Sequence, residues 1–363
     1  MKTRCLLSFI FLLLLCTVQA QTTLTGQVTD FKNTPIPYAT VYLSKTTAGV
    51  LANQDGVYAL TIQQDGTYEL IVSCVGYETH KQIINVNGVN KKTDIRLPER
   101  TVLIKEVTVK GKDINRANNY SNFLRCFIGR TQNAAFCKIK NPQDLIVYCS
   151  SNDSNLLAYS NKPLEIENSS LGYKIIYDLQ YFNYNRKTGH LRFSGDYYFQ
   201  DITNKKRENL KIQRRRLISY YGSRMHFLRA LFVDSVRHEN FKIYNTQLDS
   251  ANNWWIKSDT IPDNEVRLTL NTDSMMIYHS NPIIISYSDN HPELFPLPQV
   301  YRPGEYNSLI ILKDSLQVYK NGYYPDGYTI SWGGFMSRDR IAELLPYDFV
   351  PKSIAKKGLY LLE

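Results

Sequence analysis

Apolar and polar positions alternate with a period of two through much of the first hundred residues, the spacing of strands with one face buried. Ala39, Val41 and Leu43 alternate with Tyr38, Thr40 and Tyr42, which places one set in a core and turns the other outward. Tyr58, Leu60 and Ile62 repeat the pattern, and Tyr68, Leu70, Val72 and Cys74 form a further inward row that Gly76 ends. Asp55-Gly56 and Asp65-Gly66 supply turns, because glycine accepts backbone angles that other residues resist. Ile95 and Leu97 close the set before Pro98. The spacing predicts a small β-sandwich over residues 21–98.

Beyond a linker strand at residues 99–112, the pattern changes. Tyr120, Phe123, Leu124, Phe127 and Ile128 fall on one face of a predicted helix near Asn118 to Ile128, with Gly129 as its stop. Tyr173, Ile175, Tyr177, Leu179 and Tyr181 alternate, turn through Lys187-Thr188-Gly189 and return through Leu191 and Phe193, which predicts a hairpin. A longer helix is expected from about Lys205 to Leu231, with Leu210, Leu217, Tyr221, Leu228 and Leu231 inward. Short strands are expected around Ile283 to Tyr287, Leu309 to Leu312 and Tyr328 to Trp332. A last helix is marked by Ser337 as N-cap, Asp339 in its first turn, Ile341, Leu344 and Leu345 on one face, and Pro346 at its end. The fold class is therefore α+β: a β-sandwich followed by a mixed α+β domain over residues 113–363.

The extreme N-terminus stands apart from both. Lys2 and Arg4 precede an apolar run from Leu6 to Leu15 and the small-residue exit Val18-Gln19-Ala20, the layout of a signal peptide over residues 1–20. Cys16 follows leucines, but Leu15 occupies the place where a lipidation signal wants a small residue. The chain is read as exported, and no later segment is apolar enough to span a membrane.

At 43% hydrophobic and 21% charged residues, the 363-residue chain has the composition of a folded protein with room for two domains. Removing Lys2 and Arg4 lowers Lys+Arg from 43 to 41 against 33 Asp+Glu, a net charge of +8 that favours anionic neighbours. Nucleic acid is set aside as a partner, because a secretory leader removes the chain from it. The densest charge is Lys205-Lys206-Arg207, Lys211 and Arg214-Arg215-Arg216, where Arg207, Lys211 and Arg214 or Arg215 fall on one helical face. That face is the candidate for holding an anionic ligand or surface, against the plainer reading of a solvated side opposite Leu210 and Leu217.

Four segments in order carry a resemblance: Gly26-Gln27-Val28-Thr29-Asp30, Thr34-Pro35-Ile36-Pro37-Tyr38-Ala39-Thr40-Val41, Asn53-Gln54-Asp55-Gly56-Val57-Tyr58, and Ser73-Cys74-Val75-Gly76-Tyr77. Together they resemble the carboxypeptidase regulatory-like domain. The resemblance implies a transthyretin-like sandwich, a noncatalytic accessory role, and the envelope of a Gram-negative bacterium, where such modules also precede TonB-dependent receptor plugs. Leu103-Ile104-Lys105-Glu106-Val107-Thr108-Val109 is similar to the strand that often follows this domain in those receptors. The remaining length is too short and too interrupted by helices for a plug and barrel. The stretches 221–229 and 340–347 look similar to uncharacterised proteins that carry the same module.

Motifs for chemistry are missing. No His-x-x-Glu or His-Glu-x-x-His supplies zinc ligands, no Gly-x-Ser-x-Gly exposes a nucleophile, and no glycine-rich loop cradles phosphate. No cofactor and no metal is expected. Ser353-Ile354-Ala355-Lys356 matches Ser-x-x-Lys without companion elements. His226 lies beside Ser223, a spacing that packing and capping residues share, and His238-Glu239 reads as a solvated pair. Cys74, Cys126, Cys137 and Cys149 lack Cys-x-x-Cys spacing, and export permits disulfides among the last three, while buried free thiols are the simpler reading. The 27 tyrosines and the Trp254-Trp255 pair suit either half-buried strand cover or contact with a sugar or partner. These features point to an exported periplasmic or outer-membrane-associated protein that binds or scaffolds an envelope protein or glycan partner. The competing class is a hydrolase of envelope glycan or peptide, its site assembled only by folding.

Overall fold

The computed structural model describes residues 21–100, 116–150, 154–203, 210–252, 254–294, 304–325 and 327–352. The expected leader, the expected linker strand at Leu103 to Val109 and the Ser353 motif lie outside the described residues.

The N-terminal part is a β-sandwich, and it follows the alternation closely. One sheet sets Thr22–Thr29 against Val57–Ile62, with Lys91–Lys92 and Ile95–Arg96 adding in parallel. The other orders Gly49–Leu51, Thr40–Leu43, Gly66–Ser73 and His80–Val86. Val28, Val41, Leu43, Leu70 and Val72 are fully buried between the sheets. Each contributes about 1.5–3 kcal/mol through the apolar surface it removes from water. The turn at Gly56 needs its glycine twice over: its φ is 71°, and a Cβ there would stand 2.4 Å from the Val28 carbonyl oxygen.

The rest of the chain is α+β with two further cores. A six-stranded antiparallel sheet centres on Tyr173–Asn185, which pairs with Leu191–Asp201 along one side and with Leu164–Asn168 and Asn155–Ser160 along the other. The helix Arg116–Phe127 covers it through Phe123 and Phe127, whose rings stack at 4.9 Å and meet Phe182 and Tyr177. The second core lies under a five-stranded sheet, ordered Trp254–Thr260, Phe241–Asp249, Ile283–Ser288, Glu305–Leu312, Ile330–Trp332, with the helix Arg224–Phe232 packed into it. No helix among the described residues is long and apolar enough to cross a membrane.

Two helices differ from the reading of the sequence. The expected long helix is two, Leu210–Tyr220 and Arg224–Phe232. Gly222 parts them in a left-handed conformation with φ 74°, and a Cβ there would meet the Tyr287 ring at 2.7 Å. The last expected helix is replaced by two short 3-10 turns, Gly334–Arg338 and Ile341–Glu343. Ser337 Oγ donates to the Gly334 carbonyl instead of capping. Asp339 does sit at a helix N-terminus, but at that of another helix: its carboxylate accepts from the Arg224 N–H at 2.9 Å. Local signals for a cap were satisfied by a segment over a hundred residues away.

Candidate functional site

The two parts meet along a junction built largely from backbone. Leu191–Asp201 is an edge strand of the six-stranded sheet, with unpaired donors and acceptors to satisfy. The turn after Thr40–Leu43 supplies the partners: Lys45 N–H donates to the Tyr197 carbonyl at 2.7 Å, and Phe199 N–H donates to the Thr46 carbonyl at 2.8 Å. Lys45 reaches this position with φ 60°. Tyr42, outward on its strand, is covered by Tyr198 with ring centroids 4.6 Å apart. The Lys45 ammonium lies 4.9 Å from the centre of the Tyr323 ring, and burial in the junction pushes its pKa down to about 8. Lys81 pairs with the buried Asp196 at 2.6 Å, and the Tyr323 hydroxyl donates to Glu69 at 3.1 Å.

A strap at residues 346–352 crosses this junction. Tyr347 N–H donates to the Lys45 carbonyl at 2.8 Å. The Asp348 carboxylate accepts the Thr47 N–H and the Thr47 hydroxyl, and Gln64 donates to the Asp348 carbonyl at 2.8 Å. Arg229 holds the strap from the body side, donating to the carbonyls of Asn321, Tyr347 and Phe349 at 2.9–3.0 Å. Burial raises the Asp348 pKa despite the Thr47 hydrogen bonds that act against it.

Two clefts open on either side of Asp348. The smaller, about 140 Å³, lies against the sandwich between Thr46, Gln64 and Tyr68. The larger, about 350 Å³, lies between the strap and the helix Leu210–Tyr220, which turns Gln213, Arg216 and Leu217 into it. Its opposite wall is Tyr173 and Asp201. Arg216 is fixed here: Nε donates to the Leu171 carbonyl at 2.7 Å, Nη2 to Asp201 at 3.2 Å, and the guanidinium lies 3.9 Å over the Tyr173 ring.

The described residues of the basic face expected to hold an anion do not line this cleft. Arg207 lies outside the described residues. Lys211 is exposed on the helix, Arg214 is half-buried, and Arg215 packs its guanidinium 5.3 Å from the Phe136 ring. The residue that enters the cleft, Arg216, belongs to the same arginine run, but its assignment needed Tyr173 and Asp201 opposite it. Asp348 and Gln213 carried no linear signal at all.

The histidines resolve in favour of structure. Ser223 caps the helix Arg224–Phe232 by accepting the His226 N–H at 3.2 Å. His226 Nδ1 accepts the Gly222 N–H at 3.1 Å, so the other nitrogen carries the proton and donates to Glu239 at 3.1 Å. Both ring nitrogens are committed. Burial lowers the His226 pKa, and the bond to His226 lowers that of Glu239. His238 is exposed and 3.8 Å from the same Glu239, which therefore joins a buried partner as well as a solvated one. All four described cysteines are free thiols. Among the described residues no group of three or more His, Cys, Asp or Glu could hold a metal ion. Trp254 is exposed and Trp255 half-buried on the edge strand Trp254–Thr260.

Among curated proteins, none matches the chain. A chain of a type II cohesin–X–dockerin complex from Acetivibrio cellulolyticus is 21% identical over 21% of this chain and 56% of its own, with a TM-score of 0.19. This chain thus spans little more than half of that one. A DUF3823 family protein from Bacteroides ovatus is 13% identical over 50% of this chain and 82% of its own, with a TM-score of 0.16. A putative membrane-associated protein of unknown function from Bacteroides fragilis is 10% identical over 86% of this chain and 93% of its own, with a TM-score of 0.18. Such scores do not extend to a common architecture. The family comparison matches residues 24–109 to the CarboxypepD_reg-like domain, a stretch that takes in most of the sandwich described above.

Proposed function

We propose that this protein is a noncatalytic, exported component of a Gram-negative envelope, periplasmic or outer-membrane-associated, that binds or scaffolds a protein or glycan partner. The observation that supports this reading is the junction. The CarboxypepD_reg-like domain is fastened to the body by backbone hydrogen bonds between the turn at Lys45 and Thr46 and the edge strand, and by the strap through Asp348. A module held in this way presents its surfaces at a constant geometry to the body, which suits a scaffold better than a tethered domain on a free linker. The commitment of both His226 nitrogens removes the one buried imidazole from acid–base work.

The test is crosslinking and affinity recovery of the tagged mature protein from its own envelope, run beside a panel of envelope peptides and glycans as substrates. A consistent partner recovered without turnover is the expected result. Turnover of any panel member by the purified protein would replace this reading with a hydrolase.

A further inference from the structure

The larger cleft carries a ligand class of its own, and the inference rests on the binding role just proposed. Its charged groups cancel: Arg216 and Lys352 stand against Asp201 and Asp348. An anion entering it would face two carboxylates, and a cation would face a guanidinium and an ammonium, so neither gains a net field. What the cleft offers is hydrogen bonding of both polarities. Carboxylates accept, Lys352 and Arg216 donate, and the amide of Gln213 does both. The lining also holds the apolar side chains of Leu217, Pro346 and Phe349. A neutral molecule with one apolar face and many hydroxyls fits such a lining, since each hydroxyl both donates and accepts while its C–H face covers apolar surface. The volume, about 350 Å³, is near the lower bound of ligand pockets and holds a short segment only.

We infer that this cleft binds a neutral glycan, one or two pyranose rings long, between the helix Leu210–Tyr220 and the strap. Arg216 and Asp201 act as a preformed pair, since their mutual bond and the Tyr173 stacking hold them without a ligand. Gln213 is the adaptable contact.

The full mature chain, applied to an array of neutral and acidic glycans, tests this. Retention of neutral glycans, unchanged between about 50 and 500 mM salt because no net charge is involved, is the expected result. Gln213→Trp, which fills the cleft from the helix, is expected to lower retention at least tenfold, and Gln213→Ala, which removes only the amide, several-fold. The second variant serves if the first fails to fold. Preference for acidic glycans, no retention of any glycan, or retention indifferent to both folded variants would overturn the inference. Envelope recovery with the same variants separates the two readings. A partner still recovered while the array is blank leaves the scaffold standing and removes the glycan site.

Discussion

The backbone N–H of Lys45 donates to the carbonyl of Tyr197 at 2.7 Å, joining the sandwich to the free edge of the largest sheet of the body. This bond makes the module part of one continuous hydrogen-bonded structure, and its loss is the most direct way to separate the two.

Lys45→Pro removes the donor and cannot adopt the φ of 60° found here. The forced backbone angle alone is expected to cost about 1–3 kcal/mol, read as a lower urea midpoint. Proteolysis within residues 44–48 should appear in the variant and be absent from the parent.

Asp348→Ala strips the Thr47 N–H of its acceptor where water can replace it, and a loss of about 0.5–1.5 kcal/mol is expected from thermal unfolding. Asp348→Asn keeps an acceptor and should lose less. Because burial raises the folded pKa above 3.8, the folded chain holds this proton more tightly than the unfolded chain. The contribution is full below pH 3.8 and declines as pH rises through the folded value. The asparagine variant should lack that decline.

The His226–Glu239 pair works in the opposite direction. Both folded values are lowered, so the unfolded chain binds more protons in acid and stability falls as pH drops below about 6.5 and then below about 4.5. Urea unfolding at neutral pH and at pH 5 should show the loss in the parent. His226→Leu should be less stable at neutral pH, through the orphaned Gly222 N–H, and should show a shallower change with pH. An unaltered slope would show that the titration belongs elsewhere.

Gly222→Ala combines an unfavourable φ of 74° with a contact to Tyr287 and Phe335. The conformation alone costs about 1–3 kcal/mol, and the melting temperature should drop accordingly, whereas Gly189→Ala, whose added carbon meets nothing, pays only the conformational part.

Thiol titration of the denatured, unreduced chain over residues 21–363 should give four equivalents, one each for Cys74, Cys126, Cys137 and Cys149. In the native chain Cys137 should react slowly, since burial pushes its pKa up to about 12. Fewer than four would mean a disulfide.

Alternation made the sandwich legible because its inward rows depend only on neighbours two residues apart. Ala39, Val41 and Leu43 could be placed inside with no knowledge of what surrounds them. The same logic placed the helix over residues 118–128 and the hairpin built on Tyr173 and Leu191. It failed at Gly222, where periodicity continued through a break that a positive φ makes, and at Ser337 and Asp339, of which the first bonds within its own turn and the second caps a distant helix.

Local periodicity and turn chemistry in the sequence alone were enough to determine the sandwich, its family resemblance and the α+β class of the body. The cleft was not, because Arg216, Asp201, Gln213 and Asp348 are brought together by a strand edge and a strap that meet only in the folded chain. Tyr42 shows the reason most plainly. Its position on the strand turned it outward, and only the body packed against that face decided that outward meant buried.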